Sequence, residues 1–275
     1  MKNRKYFLVD RNVLSIIKNS NSGKPTEDKE KFMMLRKLRK IDMHNNFITP
    51  LVSIIEGQIG KIESDQETRE TAKREANAMK TFFKNAHTDA DLILSDLEGF
   101  VSAVNNIKYH HDNYYYFIKE VNKLLFQPVS KNKSDHIKKK ILILAEKSNI
   151  QFINPVVICS LSVLYGCEIS RKVLKPKPRK DNSHNSFCDI RILTIITDII
   201  FINNNNSTSK YFNFKFLTLD KPLNKFLSLT KIINIKNNIQ GGKIVEVTYK
   251  KILFPNLTEK EYINLFFELD KTHRK

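Results

Sequence analysis

The chain has 275 residues, with 47 Lys and Arg against 29 Asp and Glu, for a formal net charge of +18. At about 150 residues per domain, this length predicts one large domain, or one domain with a sizeable insertion, that buries a core without disulfides or structural metal. An apolar share of 41% and a charged share of 28% are ordinary for a globular protein and exclude collagen-like, mucin-like and wholly disordered chains. Cys159, Cys167 and Cys188 are odd in number and lack CxxC spacing, which argues for a reducing, cytoplasmic setting. The apolar run after Lys5 is cut at Asp10 and Arg11, too short for a signal peptide. No apolar stretch approaches the ~18 residues of a membrane span, and no membrane partner is expected.

In chain order, Lys5 to Asp10 (KYFLVD) reads as a short buried strand ending in an acid, and Arg11 to Asn19 as a helix with Val13, Ile16 and Ile17 inward. Gly23 and Pro25 mark a loop. Glu27 to Asn45 is amphipathic, with Phe32, Leu35 and Leu38 facing the core. FITP (Phe47 to Pro50) is a second strand, and Leu51 to Ile62 a helix with Leu51, Ile55, Ile59 and Ile62 on one stripe. Glu63 to about Lys84 is charge-rich and Gly-free, as in a solvated helix, Ala90 to Leu125 is mostly helical and Lys138 to Lys147 is another helix, so helix is the only regular element expected from about 62 to 148. Gln151 to Ile153 resembles a third strand, with a helix opening at Asn154 or Pro155. Asp189 to Phe201 is an apolar helix, Phe212 to Leu219 a strand, and Pro222 the start of a further helix. Lys243 to Tyr249 alternates as a strand, Gly241-Gly242 reads as a hairpin turn, and Thr258 to Asp270 is a closing helix. Alternating strands and helices give an α/β fold with a mostly parallel sheet. The division expected is a core at 1–62 and 149–275, the latter with a C-terminal extension, and a helical insertion at 63–148.

A surplus of +18 calls for a polyanionic partner, nucleic acid above all, whose condensed counterions Lys and Arg displace. Two tracts concentrate it: Ser130 to Lys147, with six lysines, and RKVLKPKPRK at 171–180, with six bases and no acid, kept extended by Pro176 and Pro178. Arg11, Arg171, Lys172, Lys175, Lys177, Arg179 and Lys180 are the candidate nucleic-acid contacts.

In an open parallel sheet, ligands bind outside the carboxyl ends of the strands. Asp10 and Asp220 stand at two such ends, and Glu56 and Asp189 lie on helices expected to face that edge. Each has a structural alternative: Asp10 and Asp220 as helix N-caps, Asp189 in a capping box led by Ser186, Glu56 paired with a lysine. Together, four carboxylates at one edge repel unless a cation lies among them, and hard oxygen donors suit Mg²⁺ or Mn²⁺.

The same residues in the same order resemble the PIN-like nucleases (the PilT N-terminus-like fold). The shared pattern is LVDRN (Asp10, Asn12), FITPLVSIIEGQ (Glu56), SFCDIRILTIITDII (Asp189) and FLTLD (Thr218, Asp220), over roughly 1–62 and 150–230. The resemblance implies a three-layer α/β/α sandwich and a Mg²⁺- or Mn²⁺-dependent endonuclease, most often acting on RNA. Asp10, Glu56, Asp189 and Asp220 would hold the metal and carry catalysis, with Asn12 and Thr218 orienting them. The spacing from Glu56 to Asp189, 189 − 56 = 133 residues, is far longer than in the small toxin members. By analogy the chain is a toxin or an antiviral defence effector, with a regulatory or neutralising protein partner and self-association both compatible. The alternatives are a PIN-like DNA nuclease, a catalytically inactive nucleic-acid-binding module, and a phosphatase with Asp10 as nucleophile, against which Asn12 stands where a general acid is needed.

Other constellations read as structural. His110-His111 point about 100° apart on a helix and make a poor ligand pair. Tyr114, Tyr115 and Tyr116 fit a core or interface better than a base-stacking platform. His87 with Asp89 and Asp91 reads as a loop and helix start, and Asp198 lies on the face opposite Asp189. The cysteines sit in apolar runs, where thiols stay protonated.

Overall fold

In a computed structural model, residues 5–57, 63–108, 111–177, 185–193, 195, 213–237 and 243–271 are described. The chain divides into two compact units, Met1–Tyr109 with Asn203–Lys221, and His110–Ile202 with Pro222–Lys275.

The first unit holds β1 (Lys5–Val9), α1 (Arg11–Asn21), α2 (Lys29–Ile41), β2 (Asn46–Thr49), α3 (Leu51–Glu56), α4 (Asp65–Phe82), β3 (His87–Thr88), α5 (Ala90–Ser95), α6 (Leu97–Lys108) and β4 (Asn213–Leu217). Its four strands form one parallel sheet in the order β3-β2-β1-β4, with Leu8 opposite Thr49 and Val9 opposite Leu217. The α/β class with a parallel sheet is as expected. Phe7, Leu8, Val9, Ile48 and Leu217 are buried. That continuous apolar run is what a parallel strand covered on both faces requires. Helix α1 buries Val13, Leu14, Ile16 and Ile17. At the amino end of the sheet, Tyr6 stacks on Phe47 with ring centroids 4.8 Å apart.

Helix α4 departs from the solvated reading. Its capping box joins Ser64 and Glu67, and it buries Thr68, Thr71, Ala72, Glu75, Ala76, Ala78 and Met79. Small side chains let it approach α1 closely, where Lys18 pairs with Glu75 at 2.9 Å and the Asn21 amide donates to the Ala78 carbonyl at 2.9 Å. Of the charges that suggested solvation, Glu75 is buried and used across this contact, while Glu70, Lys73, Arg74 and Lys80 are exposed. The span 63–148 is also not helix alone, because β3 adds an edge strand beside β2. Two residues are too few for a visible alternation. On α2, Met34, Leu35 and Leu38 are buried while Phe32 is 48% exposed, so the inward face is rotated from the expected one. Helix α3 stops at Gly57, whose φ of +64° ends it; 58–62, including Ile59 and Ile62, lie outside the described residues.

The second unit holds α7 (His111–Leu125), α8 (Lys131–Lys147), α9 (Pro155–Leu164), α10 (Glu168–Leu174), α11 (residues 185–193), α12 (Lys221–Ser228), β5 (Thr230–Asn237), β6 (Lys243–Tyr249), a short 3-10 turn at Lys251–Leu253, and α13 (Glu259–Lys271). Every residue from Val156 to Leu164 of α9 is buried, and α7, α8 and α10 pack around it. The side chain of Asn154 caps α9, so Gln151 to Ile153 is the turn into this helix and not a strand. Strands β5 and β6 pair antiparallel. Strand β5 was not expected from the sequence; Gly241-Gly242 lies outside the described residues. Tyr249, Phe254, Tyr262 and Phe266 form an aromatic cluster with centroid separations of 5.0 to 6.0 Å. No helix among the described residues is long and apolar enough to cross a membrane.

Candidate acidic site at the sheet edge

Three of the four predicted acids belong to the first unit. Asp10 follows β1 directly and is 6% exposed. It caps α1, its Oδ1 accepting the Arg11 N–H at 2.7 Å. Its Oδ2 accepts from the Asn12 amide at 2.6 Å and from the Thr218 hydroxyl at 2.6 Å. Asn12 in turn accepts the Leu219 N–H on its side-chain oxygen at 2.9 Å, and Thr218 accepts the Asp220 N–H at 2.9 Å. The start of α1 and the end of β4 are thus stitched together around one carboxylate. The cap and the sheet-edge acid are one arrangement, since the strand-to-helix turn that needs a cap is also the carboxyl end of the central strand.

Burial drives the Asp10 carboxyl above its ordinary range, and the negative charge of Asp220 adds to this. Hydrogen bonds from Thr218, from the Arg11 N–H and with Glu56 pull the other way. Asp10 and Glu56 thus come within hydrogen-bonding reach of each other, and two carboxylates so close repel unless a proton or a cation lies between them. Arg11 reaches both acid-bearing segments: its backbone N–H holds Asp10, and its guanidinium donates to the carbonyl of Gly57, next to Glu56. This engages the one first-unit cation expected to contact nucleic acid.

Gly57 accommodates a buried neighbour. A Cβ there would stand 3.0 to 3.2 Å from the Glu63 side chain. Glu63 is 5% exposed and accepts from the Thr71 hydroxyl at 2.9 Å.

Asp189 belongs to the second unit. Residues 185–193 are helical, so it stands inside α11 and does not open it, and Ser186 is not a cap but donates to the Leu174 carbonyl at 2.6 Å. The Asp189 carboxylate pairs with Lys175 at 2.9 Å. The basic tract is only partly extended: Arg171 to Leu174 are helical, and Lys175 closes α10 in the left-handed region. Arg171 donates to the Leu125 carbonyl at 3.0 Å, Lys172 and Lys177 are exposed, and Arg179 and Lys180 lie outside the described residues. The side chains of His110, His111 and Asp112, and all of Asp198, also lie outside them. Tyr114 stacks on Phe187 at 5.3 Å, Tyr116 is 50% exposed, and all three cysteines are buried.

One acid at the same edge escaped the sequence. Asp89 follows β3 as Asp10 follows β1, and its Oδ2 accepts from Thr49, at the end of β2, at 2.5 Å. Its other oxygen meets no partner among the described residues. Burial pushes its carboxyl up to about 6, against the pull of the Thr49 bond. The signal was the same, an acid just past a strand, but a two-residue strand conceals it.

Among the described residues, no group of three or more His, Cys, Asp or Glu is gathered closely enough to form a metal-binding cluster. The arrangement is a pair in contact, Asp10 and Glu56, with Asp220 within Coulombic range. That is no closed cage, but Mg²⁺ is commonly held by one or two carboxylates, with waters and substrate phosphates completing its shell. An all-oxygen pair of carboxyls at a sheet edge fits such an ion. No protein-family model, no curated protein and no solved structure matches the chain.

Proposed function

We propose that the first unit carries the active site of a PIN-like, Mg²⁺- or Mn²⁺-dependent endoribonuclease. The observation that carries this reading is the Asp10–Glu56 pair, with Asp220 nearby, at the carboxyl edge of a parallel sheet. The strand order and the hydrogen bonding of Asn12 and Thr218 to Asp10 support it.

Asp10, Glu56 and Asp220 would hold the ion. When bound, it lowers the pKa of a water and offsets charge on the scissile phosphate. Asn12 and Thr218 fix the Asp10 carboxylate by donating to its Oδ2, which keeps Oδ1 and Oδ2 in one orientation as charge nearby changes. Arg11 holds the end of α3, and with it the position of Glu56.

The test incubates purified protein with labelled single-stranded RNA and single-stranded DNA, with Mg²⁺, Mn²⁺ or EDTA, beside Asp10→Asn and Asp189→Asn. Metal-dependent RNA cutting that disappears in Asp10→Asn is the expected result. The Asp189→Asn arm decides whether the fourth acid of the resemblance takes part. Selective DNA cutting would replace the substrate, and cutting unchanged by Asp10→Asn would overturn the site.

A further inference from the structure

The cationic face of α2 has no role in the acidic site. Met34, Leu35 and Leu38 mark its buried side. At 100° per residue, Lys29, Met33, Arg36 and Lys40 fall on the opposite side as one stripe, with Phe32 and Arg39 along one flank and Lys37 along the other. All seven are exposed, Phe32 by 48% and Met33 by 54%. Three acids close in sequence are engaged elsewhere, the first being Asp28, which caps the helix by accepting the Lys31 N–H at 2.8 Å. Glu30, the helix's own acid, pairs with Lys221. Asp42, just past its end, accepts the N–H groups of Asn85 at 2.8 Å, Ala86 at 2.7 Å and Lys84 at 3.1 Å. Among the described residues, no carboxylate pairs with Lys29, Arg36, Lys37, Arg39 or Lys40.

Two contacts orient the stripe. Lys221 follows Asp220 directly, so its pairing with Glu30 puts the start of α2 at the carboxyl edge of the sheet, where the acids are. The Asn46 amide donates to the Ile41 carbonyl at 2.7 Å, and Asn46 begins β2, so the helix ends at the amino edge. Eleven residues at 1.5 Å carry the cations over about 16 Å of the unit's surface.

We propose that this stripe is a phosphate track that leads the backbone of a single-stranded RNA to the acid pair, with Phe32 and Met33 lying against its bases; the inference rests on the nuclease reading. Cations in line with an exposed aromatic are what sequence-tolerant single-strand binding uses. A membrane-surface helix would show a broad apolar face with aromatic anchors. Here the outward apolar residues are few and interleaved with cations.

Binding is measured on the full-length Asp10→Asn protein in EDTA, so that cutting plays no part, by the anisotropy of a fluorescent single-stranded RNA between about 50 and 200 mM salt. Adding Lys29→Gln, Arg36→Gln and Lys40→Gln is expected to reduce the slope of log affinity against log salt by about 2, or ~0.7 per lost phosphate contact. Lys225→Gln, Lys250→Gln and Lys260→Gln, exposed lysines outside both basic tracts, remove the same charge and are expected to leave the slope unchanged. Phe32→Ala is expected to weaken binding about fivefold or more without changing the slope, as loss of stacking does. Melting curves of these surface variants check that each is folded. Equal loss of slope in the α2 variant and in the Lys225, Lys250 and Lys260 control would overturn the track in favour of net charge alone. An unchanged slope in the α2 variant, with binding intact, would overturn the track and leave the nuclease reading standing. Absence of salt-sensitive RNA binding in the parent would overturn both. Loss of binding to phosphatidylserine vesicles in the α2 variant, with the RNA slope unchanged, would assign the face to a membrane.

Discussion

The Thr218 hydroxyl donates to Oδ2 of Asp10 at 2.6 Å, across 208 positions of sequence. The same hydroxyl oxygen accepts from the Asn12 amide at 3.1 Å and from the Asp220 N–H at 2.9 Å, so one small side chain touches three residues of the proposed site. Thr218→Val keeps the shape and removes these bonds. It is expected to cost about 1–3 kcal/mol in urea unfolding, since buried partners lose their match. Turnover is expected to fall about tenfold or more with little change in KM, and Thr218→Ser to restore most of both. A Val variant with wild-type turnover would show that Asp10 needs no such holding.

Asp10→Asn separates folding from metal binding. Asp10→Asn relieves the buried charge but sets an amide nitrogen against the Asn12 and Thr218 donors, so the melting temperature in EDTA is expected to be unchanged or lower. Mn²⁺ at 100 times its Kd stabilises a protein with one site by about 2.7 kcal/mol. The wild type is expected to show a rise of this kind in thermal melts, and the variant none. An equal rise in both would place the ion elsewhere.

Gly57 combines a φ of +64° with a buried neighbour. Gly57→Ala is expected to destabilise the protein by about 1–3 kcal/mol, from backbone strain and from contact with Glu63. Gly57→Ala with Glu63→Ala relieves the contact but not the strain, so the pair is expected to be less than additive in denaturant unfolding. Full additivity would mean that the two residues do not press on each other.

Asp89 makes a pH prediction of definite sign. Its folded value, about 6, lies above the ordinary aspartate value of about 4. Between these values the native state holds the proton more than the unfolded chain does, so this group's stabilisation is fully present below about pH 4 and is lost as pH rises through 6. Asp89→Asn is expected to flatten this part of the stability profile, measured by urea midpoints from about pH 4 to pH 7. An unchanged slope would show that Asp89 titrates normally.

Much of the first unit was legible because parallel strands buried on both faces announce themselves as apolar runs, and FLV and FIT do so. Asp10, Asn12, Thr218 and Asp220 were legible for the same reason: each follows a strand that could be seen. Asp89 was not, because β3 has two residues. Helix α4 misled because its charges look solvated when written in a line, while Glu75 meets Lys18 of a helix some fifty residues earlier. The exposure of Phe32 was hidden because 32, 35 and 38 fit a helical stripe almost as well as 34, 35 and 38. Gln151 to Ile153 imitates a strand, but a following Asn-Pro is a strong helix start, and the cap prevailed.

The pairing of β1 with β4 has a consequence for synthesis. The central strand is made within the first ten residues, and its neighbour only at Asn213–Leu217. Until then one edge of β1 has no β4 to pair with, and Asp10 lacks the Thr218 donor. Closing so long a loop comes late and slowly in folding. A chain that stops short of Asn213 therefore has neither the β4 partner of β1 nor the hydroxyl that holds Asp10, and the carboxylate at the end of β1 is left with only its local donors.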